Sequence, residues 1–185
     1  DYVKLYGKRA PEFPPGTSTS YSNFGFILLG VIIQKVSGED YYDYVQTHIF
    51  APAGMTDSGF LPESVNVPGR VKGYTPKNGK WVLNTDTLPW RGTSAGGGYS
   101  TLADLLKFAH AMMGGKLLPN DLRDAATRSE TKGDWYGYGF EVHDTGLAHS
   151  YGHTGGAPGM SAELRVYPAV KTVIIGLCNV DTAVM

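Results

Sequence analysis

Met160-Ser-Ala-Glu-Leu-Arg-Val-Tyr167 and Thr172-Val-Ile-Ile-Gly-Leu-Cys-Asn179, near the end of the chain, decide its fold. Both runs are short, rich in aromatic or β-branched residues and bounded by Gly, Pro or Asp turns, which is how strands read. Tyr136–His143 and Ala148–His153, just upstream, have the same grammar. Four strands so close together leave no room for crossover helices, so they are expected to form an antiparallel meander.

Further upstream the period changes. Phe24, Ile27, Leu28, Val31 and Ile32 fall at helical spacing, predicting a helix from about Asn23 to Val36 that Ser37-Gly38 stops. A second helix is expected over 39–49, closed by Pro52. A third opens at the capping box Thr101-Leu-Ala-Asp104, with Leu102, Leu105, Leu106, Ala109 and Met113 as its core face. A shorter one is expected over 120–129. Residues 10–22 form a Pro/Gly/Ser-rich loop. Residues 51–98 are an ordered excursion with short strands near 69–74 and 80–83, in which Trp81, Leu83 and Trp90 are expected to be buried. The fold class is therefore α+β, an antiparallel sheet flanked by helices with a helical and loop subdomain. It makes one domain over 1–185, mainly helix and loop to 134 and sheet from 135.

Composition narrows the function. The 185 residues carry 16 Lys+Arg against 17 Asp+Glu, a net charge of −1, with no basic cluster to bind nucleic acid or an anionic membrane. The longest apolar run, Phe24 to Ile33, is ten residues, too short for a span that needs about 20. No secretory signal opens the chain. A single cysteine, Cys178, excludes an internal disulfide framework and any cysteine-rich zinc site. His149 and His153 would stand about 13 Å apart on a strand, too far to share an ion, so neither metal nor cofactor is implied.

Three motifs read as serine-hydrolase signals. Gly92-Thr-Ser94-Ala-Gly96 matches the nucleophile elbow G-x-S-x-G, which needs a strand running straight into a helix. Leu88-Pro-Trp90 is a poor strand, and glycines delay the helix, so a Gly-rich loop is the plainer reading. Ser129-Glu-Thr-Lys132 matches S-x-x-K, a spacing that arises readily by chance with eleven serines and ten lysines. The third constellation joins Tyr21-Ser22-Asn23, at a loop-to-helix junction, with His153-Thr154-Gly155-Gly156, at a predicted strand end. Taken singly, Tyr21 reads as a packed aromatic, Asn23 as a helix cap and the His-Thr-Gly-Gly run as a turn.

Together with their neighbours these residues resemble the serine β-lactamase and penicillin-binding-protein superfamily, especially its class C β-lactamase, D-aminopeptidase and esterase branch. The matching stretches are Phe13-Pro-Pro-Gly-Thr17, Tyr21-Ser-Asn-Phe-Gly25, Leu28-Leu-Gly30, Val36-Ser-Gly38, Ile49-Phe-Ala-Pro-Ala-Gly-Met55, Ala95-Gly-Gly-Gly-Tyr-Ser-Thr-Leu-Ala-Asp104, Tyr136-Gly-Tyr-Gly139 and Gly152-His-Thr-Gly-Gly156. They keep the family's order nearly end to end.

The resemblance implies that Tyr21 transfers protons and that Asn23 hydrogen-bonds the substrate amide. It implies that His153 replaces the lysine of a K-T-G triplet, where it orients Tyr21 or binds a substrate carboxylate. Thr154 and Gly155 would then line the substrate, and Gly156 would offer an oxyanion-hole N–H. The family's S-x-x-K precedes Y-x-N, and no such segment lies before Tyr21. The chain is thus expected to be a truncated, C-terminal part of a β-lactamase/transpeptidase-like fold, with exposed sheet edges open to self-association. The resemblance also favours a periplasmic or secreted setting. Three functions stand: part of an acyl-transferring serine hydrolase acting on small-molecule or peptide amides, β-lactams or esters; a non-catalytic module binding peptides or cell-wall fragments; or a hydrolase using Ser94.

Overall fold

The alternation read from the last strands builds a four-stranded antiparallel sheet in the computed structural model, which describes all residues except 1, 85, 86, 88, 132, 134, 145–147 and 182–185. In chain order the elements are α1 (Tyr2–Tyr6), α2 (Asn23–Ser37), α3 (Tyr41–Val45) and α4 (Ala51–Ala53), then the hairpin β1 (Tyr74–Lys77) and β2 (Lys80–Leu83). These are followed by α5 (Leu102–Met113), α6 (Asn120–Ala126), β3 (Glu141–Asp144), β4 (His149–Ala157), β5 (Met160–Tyr167) and β6 (Thr172–Cys178). The sheet order is β3-β4-β5-β6, the expected meander.

Helix α5 packs over this sheet. Ala109 from the helix meets Tyr151 of β4 and Val166 of β5, all essentially buried, with Met113, Phe140, Leu164 and Val173 around them. Burial of a side chain the size of Val166 contributes about 1.5–3 kcal/mol. At the start of α5, Thr101 caps Asp104 N through its hydroxyl, as the capping motif predicts.

The Asp104 side chain is fully buried, and its carboxylate accepts hydrogen bonds from Asp57 N at 2.7 Å, Ser58 Oγ at 2.9 Å and Lys107 Nζ at 2.8 Å. Burial pushes this carboxyl upward, yet Lys107 and the bonds from Asp57 and Ser58 prevail and hold its pKa below the ordinary value. It pins the segment after α4 to α5.

Several boundaries differ from the sequence reading. The run Tyr136–His143 is strand only from Glu141, because Tyr136-Gly-Tyr-Gly139 turns back on itself. Gly137 N bonds Phe140 O at 2.8 Å, and Gly139 takes a φ of 85°. β4 continues four residues past His153, which therefore sits mid-strand rather than at a strand end. The second helix switches to a π-helical turn over Gln46–Phe50 and runs through Pro52 to a left-handed Gly54. The first excursion strand lies at 74–77, joined to β2 by Asn78-Gly79 with φ values of 52° and 74°, a primed hairpin turn. Trp81 and Leu83 are exposed, and Trp90 is 68% exposed, against the expected burial. On α5 the buried positions are Asp104, Ala109, Ala111 and Met112, while Leu102 and Leu106 face outward. An apolar stripe identifies a face but not whether this chain covers it.

Two edges matter for the site. β3 pairs with β4 only from Gly152 back to His149, so among the described residues no strand flanks 153–157 of β4 on that side. β6 pairs only with β5 along its length, with Tyr74 bridging Val180 beyond its end. Among the described residues, no helix is long and apolar enough to cross a membrane.

Candidate active site

Ser22 takes an extended backbone, with φ −145° and ψ 111°, and its hydroxyl accepts from Gly25 N. Ser22 is thus the cap of α2, and Asn23, read from sequence as a candidate cap, is the first helical residue. This frees the Asn23 amide, whose Oδ1 accepts the Tyr21 hydroxyl at 3.1 Å. Tyr21 is 45% exposed. Its ring centroid lies 6.0 Å from those of both His153 and Tyr136 and 5.6 Å from that of Phe26. The loop-to-helix junction and the β4 edge therefore meet in one cleft. Beside it is a hollow of about 370 Å³ whose walls include Tyr21, Phe26, Leu29, Trp135 and Tyr136.

His153 does not hydrogen-bond Tyr21. Its Nε2 lies 2.8 Å from the Tyr136 hydroxyl, and its Nδ1 is 2.5 Å from the Thr154 carbonyl and 3.7 Å from Glu141 Oε1. Both neighbours of Nδ1 are pure acceptors, so Nδ1 carries the proton, and in the neutral ring Nε2 accepts from Tyr136. Burial, with Tyr21 and Glu141 close by, raises the Tyr136 pKa well above its ordinary value, so the phenol keeps the proton it donates.

Thr154 is fully engaged. Its N–H and hydroxyl both donate to Glu141 Oε1, at 3.2 and 2.6 Å, while Arg165 Nη2 donates to Glu141 Oε2 at 3.0 Å. Burial opposes the Glu141 charge, but the bonds from Thr154 and Arg165 and the nearby His153 outweigh it, and its pKa falls below the ordinary value.

The direction of the Thr154 N–H also fixes that of Gly156. Backbone N–H groups two residues apart on a strand point to the same edge. The Gly156 N–H therefore faces the side where β3 has ended. A Cβ on Gly155 or Gly156 would meet nothing within 4 Å, whereas one on Gly152 would run into the Leu164 carbonyl of β5. Within one strand, the first glycine lets two backbones approach and the other two leave space open.

Ser94 has a different setting. Thr93 and Gly96 exchange backbone hydrogen bonds at 2.7 and 3.0 Å, so Ser94 sits in a tight turn, and its side chain packs on Gly30 of α2. The next helix starts only at Leu102, so no nucleophile elbow forms. The Ser129 hydroxyl is buried with no partner among the described residues, and Lys132 of the S-x-x-K match lies outside them. His149 pairs with Asp144 at 2.9 Å. Among the described residues, no group of three or more His, Cys, Asp or Glu converges on a metal-sized site. A larger cavity of about 630 Å³, with Met113, Arg123, Tyr151 and Lys171 among its walls, includes none of the predicted site residues.

Tyr136, Glu141 and Arg165 were not singled out as site residues from sequence. Tyr136 stood in a quoted match as part of a strand. No local pattern marks Glu141, which reaches the cleft only through its register opposite Gly152.

A family model described as Beta-lactamase matches residues 1–184. The chain is 31% identical over 183 residues to the penicillin-binding protein PbpX of Bacillus subtilis (strain 168), covering 98% of this chain and 45% of that protein. A solved penicillin binding protein from Bacillus halodurans superposes with a TM-score of 0.91 at 30% identity, over 98% of this chain and 58% of that one. A D-stereospecific amidohydrolase from Streptomyces sp. does so with a TM-score of 0.78 at 26% identity, over 97% and 55%. The chain spans about half the length of each of these three proteins.

Proposed function

The chain belongs to the β-lactamase family, whose relatives are serine hydrolases, and on that premise we propose that it is the carbonyl-binding and proton-transferring part of an acyl-transfer hydrolase. In this reading the serine nucleophile and its lysine lie outside these 185 residues. Tyr21 is the proton-transfer residue, its hydroxyl held by Asn23, whose amide N–H₂ remains for the substrate. The Gly156 N–H is an oxyanion donor, and the empty space over Gly155 and Gly156 admits the substrate backbone. His153 and Thr154 shape the floor beside them. The observation that carries this reading is that β4 runs on past the end of β3 while its His153 ring lies 6.0 Å from that of Tyr21.

Incubation with an activated neutral ester, followed by mass spectrometry, tests it. The 185-residue chain is expected to take no acyl adduct, and the protein encoded by the complete gene is expected to take one on a serine outside this chain. An adduct on Ser94 or Ser129 would transfer the nucleophile to this chain. No adduct on either sample would favour a non-catalytic binding module.

A further inference from the structure

Glu141 sits where the cleft's donors converge, and it bears on which substrates the open edge admits, an inference that rests on the reading above. Both donors of Thr154 end on Glu141 Oε1. Arg165 divides itself between Glu141 Oε2 at 3.0 Å and Glu163 Oε1 at 3.3 Å. Its remaining nitrogen, Nη1, has no partner among the described residues but is sealed from solvent, out of a ligand's reach. His153 Nδ1 is taken by the Thr154 carbonyl, with Glu141 Oε1 at 3.7 Å, and Nε2 is taken by Tyr136.

The sheet register builds this cluster. Glu141 and Arg165 both stand opposite Gly152, one on each neighbouring strand, and the missing side chain between them lets the ion pair close across β4. Glu163 stands opposite Thr154 on the same sheet. Two carboxylates therefore face one guanidinium, and the Glu141 side chain is only 16% exposed.

We propose that Glu141 is a specificity-determining residue: its carboxylate occupies the donors a substrate carboxylate would need, restricting the site to neutral amides and esters. A carboxylate arriving at Thr154 finds no free donor and meets an excess of negative charge, and that like-charge contact opposes its binding. The depressed Glu141 pKa keeps that charge in place at neutral pH. A neutral carbonyl compound needs only Gly156, Asn23 and Tyr21, none of which hydrogen-bonds Glu141 among the described residues.

The test is an NMR titration at pH 7 of the protein with N-acetyl-D-alanine amide and, separately, with its carboxylate twin N-acetyl-D-alanine. The amide is expected to bind at least about tenfold more tightly. Glu141→Gln, which keeps the shape and removes the charge, is expected to narrow that ratio to within about threefold. Equal affinities in the wild type, or tighter binding of the carboxylate, overturn the proposal even if Glu141→Gln does not fold. An undiminished tenfold preference in a folded Glu141→Gln also overturns it. Binding of neither probe would sink the substrate-site reading itself, and this inference with it, a result distinct from a lost preference.

Discussion

Helices α2 and α5 both begin with a hydroxyl cap, and the two junctions differ in what their polar groups are left to do. At α5, Asp104 is wholly buried and saturated, tied to Asp57, Ser58 and Lys107. At α2, Tyr21 is 45% exposed and its hydroxyl makes one hydrogen bond among the described residues, to Asn23 two positions on. A saturated junction stabilises; an unsaturated one retains capacity for a ligand. The same contrast recurs inside β4, between closely packed Gly152 and the open Gly155 and Gly156.

Breaking the α5 junction should give the largest effect. Asp104→Ala leaves the Asp57 N–H without its partner and takes one of two partners from Ser58 Oγ, while the half-exposed Lys107 returns to water. It is expected to cost about 3 kcal/mol of unfolding free energy, measured by urea denaturation. The carboxyl's depressed pKa adds a pH signature. A carboxylate favoured in the fold stabilises above its unfolded pKa, about 3.9, and that stability is lost as pH falls through the lower folded value. Acid titration of the wild type should therefore show stability falling below about pH 4, more steeply than in Asp104→Asn. Parallel curves would remove Asp104 from the account.

The two kinds of glycine come next. Gly152→Ala is expected to cost about 1–3 kcal/mol, because β5 must give way or β4 must bend. Gly156→Ala should stay within about 0.5 kcal/mol of wild type in stability while weakening substrate binding. Equal destabilisation by both would erase the distinction. Tyr21→Phe is the mirror case, expected to leave stability within about 0.5 kcal/mol and, under the proposed function, to lower turnover by the protein of the complete gene about a hundredfold. Ser22→Ala removes the α2 cap and should cost about 1 kcal/mol.

What could be read in advance follows from which forces are local. β5 was bounded correctly and β6 to within one residue, because both are short β-rich runs closed by turns. The capping hydroxyl of Thr101 was legible for the same reason. Tyr136-Gly-Tyr-Gly139 misled, since aromatic residues favour strands while the glycines turn the chain, and the glycines prevailed. Burial of Trp81, Trp90, Leu102 and Leu106 was misjudged because apolarity says nothing of whether a partner surface lies within this chain. Tyr21, Asn23 and His153 could be nominated because they stand in motifs. Glu141 and Arg165 could not, because their meeting depends on both being registered opposite Gly152, which no local pattern encodes.

The central claim is that the β4 edge beyond β3, with the Gly156 N–H, and the Tyr21 junction form one substrate site. Residue-resolved amide NMR of the chain, titrated with the neutral probe N-acetyl-D-alanine methyl ester, reads it directly. The account predicts that shifts concentrate at Tyr21, Asn23 and residues 153–156, with Gly156 N–H among the largest, and that Gly156→Ala weakens them. Shifts gathered instead around Ser94, or in the larger cavity beside Tyr151, with Gly156 unmoved at saturation, would contradict it.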